Sequence, residues 1–309
     1  MVAQTVERKL SAAITSTLLP AMPTTLLPRD PRWFQIGTLS GLLVYGWLGL
    51  GFDINGPRIA LTLGSILALQ ALATWLWRLP AFDPKSALIS GLSLCLLLRT
   101  NSDLLVVLAA ALAVFSKFLV RWRGKHVFNP TNVALAALIL AGGGQVWLSS
   151  GQWGSLAFFA FLMLCAGNLV VWRAARSDVA IAFLACHAAL LIWRSAWLGE
   201  PMTIPFHRLE SGALLLFAFF MISDPRTTPN SRVGRILFAA LVSLGAYYIQ
   251  FKIFRQNGLV LSLAACSMLV PLIDLVLPGR RYAWTAPRVE AGRRSSSRLE
   301  PDGAIMAQR

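Results

Sequence analysis

Long apolar runs separated by short polar and charged stretches fill most of the chain. A helix of about 20 residues, rising 1.5 Å per residue, crosses the roughly 30 Å hydrocarbon core of a bilayer. Eight runs approach that length, whereas the third and the eighth hold only 13 and 12 residues. The pattern therefore predicts an all-α polytopic membrane protein with about ten transmembrane segments. These segments are 33–50, 59–77, 86–98, 103–121, 131–147, 153–172, 178–198, 211–222, 234–252 and 258–277.

The two short segments occupy the third position in each group of five. A duplicated unit of five spans enters the membrane from the opposite side the second time, because five is odd. Matching interrupted segments are the sequence sign of such an inverted repeat with a central site. We therefore predict two inverted five-helix halves, 33–147 and 153–277, each with a short third helix. A tilted span with poorly defined ends is the alternative explanation for either short segment.

The composition is that of a membrane protein, and in such a protein a net positive charge has a different explanation than in a soluble one. Hydrophobic residues make up 56% of the chain and charged residues 13%, against about 25% charged residues in soluble proteins. The net charge of +15 would suggest nucleic acid in a soluble protein, but the basic residues here flank apolar runs, so we expect the bilayer and no nucleic acid as a partner. With the N-terminus inside, 21 of the 28 Lys and Arg lie on the inner side and 6 on the outer side. The positive-inside rule then predicts cytoplasmic termini.

Three parts of the chain follow from this arrangement. Residues 1–32 are predicted to form a cytoplasmic N-terminal arm, and 33–277 to form the transmembrane domain. Residues 278–309, rich in Arg and Ser, are predicted to be a disordered basic cytoplasmic tail. The loops are too short for a soluble catalytic domain, so any chemistry must take place inside or against the bundle.

No metal site is predicted. The cysteines lie in different apolar runs without CxxC spacing, and His187 has no ligand residue three or four positions away. Asp274 is expected to pair with Arg280 or Arg281 across the interface.

An Asp-Pro pair ends the eighth segment. Proline removes a backbone donor and disfavours a helix before it, so the helix breaks here and leaves Asp224, Thr227 and Thr228 at its end. Asp224 either caps this turn or marks an ion path, because intramembrane acids are rarely without purpose. Arg99 follows the first short segment in the same way. We predict an ion or substrate path at Arg99, Asp224, Thr227 and Thr228, with the two short-helix ends close together.

A second polar group surrounds the start of the fifth segment. Lys117 lies near the end of the fourth segment, and Asn129-Pro130 sets a turn before Asn132. A helix start with free N–H groups, flanked by Lys and Arg, favours an anion or an electron-rich ring. Ordinary inner-side charge beside a helix start is the alternative.

Several motifs together resemble one protein family. They are Ser-Gly-Ala at 211–213, Phe-Phe-Met-Ile-Ser-Asp-Pro at 219–225, the run 234–241 and Pro-Leu-Ile-Asp at 271–274. Lys117, Phe128-Asn129-Pro130 and the segment 87–98 resemble its first half. The family is the D subunit of Rnf complexes, with the B subunit of the sodium-translocating NADH:quinone reductase as sister family.

The resemblance implies ten spans in two inverted halves, a fold akin to urea and ammonium transporters, in the bacterial inner membrane. It also implies a flavin, which the family attaches to a threonine in an outer insertion between the fifth and sixth segments. Here that connection is only residues 148–152 and holds no threonine. We therefore expect no covalent FMN, and a non-covalent flavin (FMN or riboflavin) becomes the expectation. The residues assigned to cofactor binding are Lys117, Phe128, Asn129, Asn132, Ser211 and Gly212.

The function implied is that of a membrane subunit of a flavin-linked electron transport complex coupled to ion translocation, with other membrane subunits as partners. A transporter or channel on the same inverted-repeat fold, without a redox role, is the alternative. A structural membrane anchor is a third interpretation.

Overall fold

The computed structural model describes Asp30, residues 32–149 and residues 177–282. Most of the predicted N-terminal arm, the sixth segment (153–172) and most of the basic tail lie outside the described residues. The helices of the first half are α1 (Arg32–Leu48), α2 (Gly56–Leu76), α3 (Lys85–Leu97), α4 (Asp103–Leu119) and α5 (Pro130–Ala141). Those of the second half are α6 (Ser177–Leu198), α7 (Thr203–Leu209), α8 (Gly212–Leu216), α9 (Arg232–Phe251), α10 (Gly258–Ser267) and α11 (Val270–Val276). Helix α8 continues as a π-helix over Phe217–Met221.

Local sequence signals explain where these helices begin. Asn55, Asn129 and Ser231 each accept a hydrogen bond from the backbone N–H three residues ahead, at the starts of α2, α5 and α9. Such side chains satisfy donors that the first turn of a helix leaves unpaired. Pro57 and Pro130 stand in the first turn of their helices, where the missing N–H has no cost.

The two short helices form the buried centre of the molecule. Every residue from 90 to 100 is buried, and so is every residue from 214 to 223. The long helices instead expose large apolar side chains, such as Trp75 on α2, Trp193 on α6 and Leu244 on α9. A helix that is apolar on all sides belongs in the interior, whereas exposed apolar faces suit lipid contact. The short segments that the sequence singled out are therefore those enclosed by the others.

The long helices of the two parts share some packing contacts. In the first half α2 packs against α4, and α4 packs against α5. In the second half α6 packs against α9, and α9 packs against α10. The two halves meet where α5 packs against α10.

Two small antiparallel sheets complete the described structure. Strand β1 (Leu98–Thr100) directly follows α3 and pairs with β4 (Val146–Leu148), with Arg99 opposite Trp147. Strands β2 (Arg121–Trp122) and β3 (Lys125–His126) form a hairpin between α4 and α5.

The structure differs from the predicted segments at three places. Segment 131–147 is not one helix: α5 ends at Ala141, and Gly143 and Gly144 adopt positive φ before β4, a conformation that glycine tolerates. Segment 258–277 breaks between α10 and α11, which are bent by 49° just before Pro271. Segment 211–222 is preceded by α7, which the sequence analysis placed in a loop and which meets α8 at a 48° bend.

Within the described residues, α2, α6 and α9 are long and apolar enough to cross a membrane, and counting each bent pair as one span brings the number to five. The chain is thus a largely helical membrane protein, while the full set of ten spans stays a prediction.

Each described ion pair joins residues that are predicted to lie on the same side of the membrane. Predicted inner residues pair with one another, as in Arg32–Asp83, Lys125–Asp274 and Arg235–Asp178. Predicted outer residues do the same in Arg58–Asp103 and Arg194–Glu200. Among the described residues, no ion pair joins an inner loop to an outer one. The expected pairing of Asp274 with Arg280 or Arg281 is wrong: Lys125 Nζ lies 2.6 Å from its carboxylate, because the β2–β3 hairpin brings Lys125 over α11.

Candidate functional site

A polar cavity of about 210 Å³ lies at the predicted inner side, where α3 begins and the π-helix ends. We call it the inner cavity. Residues of both halves line it, so it sits at their junction. Its polar lining residues are Arg32, Gln35, Gln70, Asp83, Ser86, Ser90, Ser93, Lys117, Arg121, His126, Asn129, Thr131, Ser223, Asp224 and Arg226.

Lys117 is the buried cation of this cavity. It lies in the last turn of α4 with 5% of its surface exposed. Its Nζ donates to Gln70 Oε1 at 3.2 Å and to Ser86 Oγ at 3.3 Å. Both acceptors are neutral, so the ammonium group is solvated by dipoles rather than neutralised by a carboxylate in direct contact. A charge held this way has a strong field in its surroundings, because the interior screens it less than water does.

Asp224 contributes a carboxylate to the lining of the inner cavity. Its carboxylate accepts from the backbone N–H of Arg226 at 3.0 Å and from Asn129 Nδ2 at 3.3 Å. Its carbonyl accepts from the N–H groups of Thr227 and Thr228 at 3.2 and 3.1 Å. Asp224 therefore does hold the turn, as the plainer interpretation of the sequence proposed. It also borders the cavity, so the two interpretations are compatible.

Asn129 joins the halves at this point. Its Oδ1 caps α5 by accepting from the Asn132 N–H at 3.0 Å, while Nδ2 donates to Asp224 and to the Met221 carbonyl at 3.3 Å. The Met221 carbonyl belongs to the end of the π-helix, where backbone acceptors lack intrahelical partners. One side chain of the first half thus completes the broken helix of the second.

Basic side chains surround the mouth of the inner cavity. His126, on β3, lies 3.4 Å from Arg226 through its Nε2. Burial, together with the charges of Arg226 and Arg121, lowers the pKa of His126 to about 3, so its imidazole is neutral at physiological pH. On the same side, burial would raise the pKa of Asp30, but hydrogen bonds from Arg32 and Lys85 lower it to about 2.

The remaining predicted residues divide into three groups. Thr227 and Thr228 are buried in the turn below Asp224 and do not line the cavity. Asn132 is buried and donates to the Val260 carbonyl of α10 at 3.1 Å, and Phe128 lies in the loop before α5. Ser211 and Gly212 stand at the start of α8, about 15 Å of helix away from Asp224.

Arg99 is not part of the inner cavity, and the expectation that the two short-helix ends approach each other is wrong. Helix α3 presents its first turns, with Ser86 and Ser90, to Asp224. Arg99 follows the other end of α3 and lines a separate cavity on the predicted outer side. Asp224 and Arg99 therefore line separate cavities, one beside each end of α3.

Sequence reasoning missed the polar face of α3. Ser86, Ser90 and Ser93 follow one another at spacings of four and three residues and all line the inner cavity. Such spacing places side chains on one face of a helix, so a serine stripe within an apolar segment was the available signal. Gln70, the acceptor for Lys117, lies in the middle of the apolar α2 and could have been noticed as an isolated amide.

The residues assigned to a flavin do not converge on one place. Only Lys117 and Asn129 of that set line the inner cavity. Its volume of about 210 Å³ lies below the roughly 300–1,000 Å³ of typical small-molecule sites. The inner cavity therefore does not fit a flavin, and it suits a small ion with its hydration water. Non-covalent flavin binding stays a prediction.

These features define a helical membrane protein with two buried short helices and a charged cavity between its halves. Residues 143–283 match the model of the NQR2, RnfD, RnfE family, which confirms the resemblance drawn from the motifs at 211–274. The matched region includes Asp224 and its turn.

Two curated relatives are D subunits of an ion-translocating oxidoreductase complex. The chain is 32% identical over 164 residues to the D subunit from Cronobacter sakazakii, covering 52% of this chain and 44% of that protein. It is 35% identical over 147 residues to the D subunit from Escherichia coli O1:K1 / APEC, covering 47% of this chain and 38% of the relative. The chain thus spans less than half the length of these relatives.

Proposed function

We propose that this chain is a membrane component of an Rnf/Nqr-like, flavin-linked oxidoreductase complex, and that the inner cavity belongs to its ion path. The observation that carries the proposal is that Asp224, inside the family-matched region, and the buried Lys117 line the same cavity, which residues of both halves enclose. The names of the matched relatives support ion translocation and oxidoreduction as the activity of the assembly.

The cavity offers what a small hard cation needs. The Asp224 carboxylate supplies charge, and the serines of α3 with Gln70 supply neutral oxygen ligands. Lys117 repels a cation in this cavity, whereas Asp224 attracts it. Ion occupancy therefore depends on a balance of two charges, and it shifts when the charge of a nearby redox group changes. That sensitivity is what coupling of ion movement to electron transfer requires.

The architecture proposed for this function is the inverted repeat. In each half, the second predicted segment contacts the fourth, and the fourth contacts the fifth. These shared contacts support two equivalent halves and ten spans. The sorting of ion pairs supports loops on two separate sides. The excess of Lys and Arg on one of these sides supports cytoplasmic termini in a bacterial inner membrane. Other membrane subunits of the complex are the proposed partners, since the matched relatives are named as subunits of a complex.

The test is reductant-driven ion uptake. Inverted membrane vesicles from the native host are compared with vesicles lacking this chain and with vesicles in which it is restored. We expect uptake to depend on the chain and on added reductant, and we expect the tagged chain to co-purify with flavin-containing membrane subunits. Uptake that persists without reductant and without partner subunits would favour the transporter or channel interpretation and overturn the redox assignment.

A further inference from the structure

The predicted outer side holds a second cavity built around Arg99, independent of the inner cavity. We call it the outer cavity; its volume is about 190 Å³. Arg99 has 5% of its surface exposed. Its Nη1 donates to the carbonyls of Cys95 and Leu98 at 3.0 and 2.8 Å. These carbonyls lie at the C-terminal end of α3, which carries partial negative charge, so one edge of the guanidinium is fixed by the helix end.

The other edge of the same guanidinium is unused. Arg99 Nε and Nη2 are buried and have no hydrogen-bond partner in the part of the chain that the structure describes. These two nitrogens point the same way and form the fork that binds two oxygens of a carboxylate or phosphate at once. Buried donors without partners are costly, and this pair is already arranged for an oxyanion.

Within the described residues no carboxylate forms an ion pair with Arg99, although Asp53 acts on its charge through space. Arg58, which also lines the outer cavity, is paired with Asp103 at 2.7 Å. Asp53 lines the cavity but is exposed and forms no ion pair with Arg99. Among the described ion pairs none includes Arg99. A buried cation is normally balanced by a nearby anion, and the described part of the fold supplies none in contact.

We propose that the outer cavity binds a phosphate-type oxyanion through Arg99. Trp147, 42% exposed and paired with Arg99 across β1 and β4, lines the same cavity. Tryptophan is enriched at the membrane–water interface, where lipid phosphates lie. The shared chemistry is a phosphate group, and its source is either a phospholipid headgroup or dissolved phosphate.

The experiment uses the full chain purified in detergent. Native mass spectrometry reports any retained phospholipid, and thermal unfolding in rising inorganic phosphate reports binding of the free ion. We expect Arg99→Gln to lose the bound species or to weaken phosphate binding at least about tenfold, the loss of a charge-assisted pair. Arg194→Gln is the control, because Arg194 lies on the same side, outside the cavity, and is paired with Glu200.

The outcomes separate the sources. Retained phospholipid that is lost in Arg99→Gln assigns a lipid headgroup, whereas phosphate stabilisation without retained lipid assigns the free ion. Should Arg99→Gln fail to fold, Arg99→Lys keeps the charge without the fork and is expected to weaken binding, and Asp53→Asn removes a competing charge and is expected to strengthen it. Equal binding in wild type and these variants, or no binding of either species, overturns the proposal.

Discussion

The two buried short helices end in opposite charges. Helix α3 ends at Arg99, a cation that donates to the last carbonyls of its own helix. The π-helix ends at Asp224, an anion at the end of a helix where negative charge is unfavourable. Arg99 thus satisfies its helix locally, while Asp224 depends on Asn129 from the other half. The inner end is therefore where described hydrogen bonds link the two halves, whereas the described hydrogen bonds of Arg99 stay within the first half.

The largest effect is expected from removing the charge that distinguishes the inner end. Asp224→Asn should reduce reductant-driven ion uptake to background while the protein is inserted at normal levels, because the amide lacks the negative charge that draws a cation to the cavity. Uptake is measured at matched protein amount, with Asp103→Asn, an exposed acid on the outer side, as control. If Asp224 serves only the turn, the change should cost about 1 kcal/mol of stability and leave uptake intact.

The next prediction compares two asparagine caps. Asn129→Ala should lower the free energy of unfolding by about 2–3 kcal/mol, because it removes the cap of α5 and two hydrogen bonds to the other half. Asn55→Ala should cost about 1 kcal/mol, because the Asn55 side chain caps α2 without reaching the other half. Denaturant unfolding in detergent gives both values. Equal costs would argue against a special link between the halves.

The third prediction concerns pH. The unfolded chain takes up a proton on His126 near its ordinary pKa of 6.5, but the folded chain does so only near pH 3. Stability is therefore lost as pH falls below 6.5, by about 1–2 kcal/mol at pH 5. His126→Asn should reduce this dependence in thermal unfolding from pH 7 to 5. His207→Asn, at an exposed residue of α7 on the outer side, should leave the dependence unchanged.

The smallest effect is expected at the outer surface. Asp103→Asn breaks the pair with Arg58, but the Asp103 side chain is 72% exposed. Its loss should cost less than about 1 kcal/mol and should vanish in high salt. A cost of several kcal/mol would show that the outer end depends on this ion pair more than the exposure of Asp103 indicates.

Much of the helical layout could be predicted from the sequence, because apolar length and Asp-Pro or Asn-Pro breaks act locally. Lys117, Asn129 and Asp224 were recognisable for the same reason: each is a polar group in or beside an apolar run. The placement of Arg99 was not recognisable, since the cavity that each short-helix end lines is decided by how the helices pack together. The bend before Pro271 was missed because an apolar run of 20 residues looks like one span even when proline divides it.

The pairing of β1 with β4 has a mechanical consequence. Leu98, Arg99 and Thr100 are bonded in register to residues 146–148, and the Ser149 N–H adds a bond to the Leu97 carbonyl. Leu98, Arg99 and Thr100 are buried. Breaking these bonds would therefore leave buried backbone groups without hydrogen-bond partners, at a cost of several kcal/mol. These hydrogen bonds fix the outer end of α3 to the segment that follows α5. If the protein acts as proposed and α3 moves, we expect its inner end to swing, at the serine face beside Asp224, rather than the whole helix to slide.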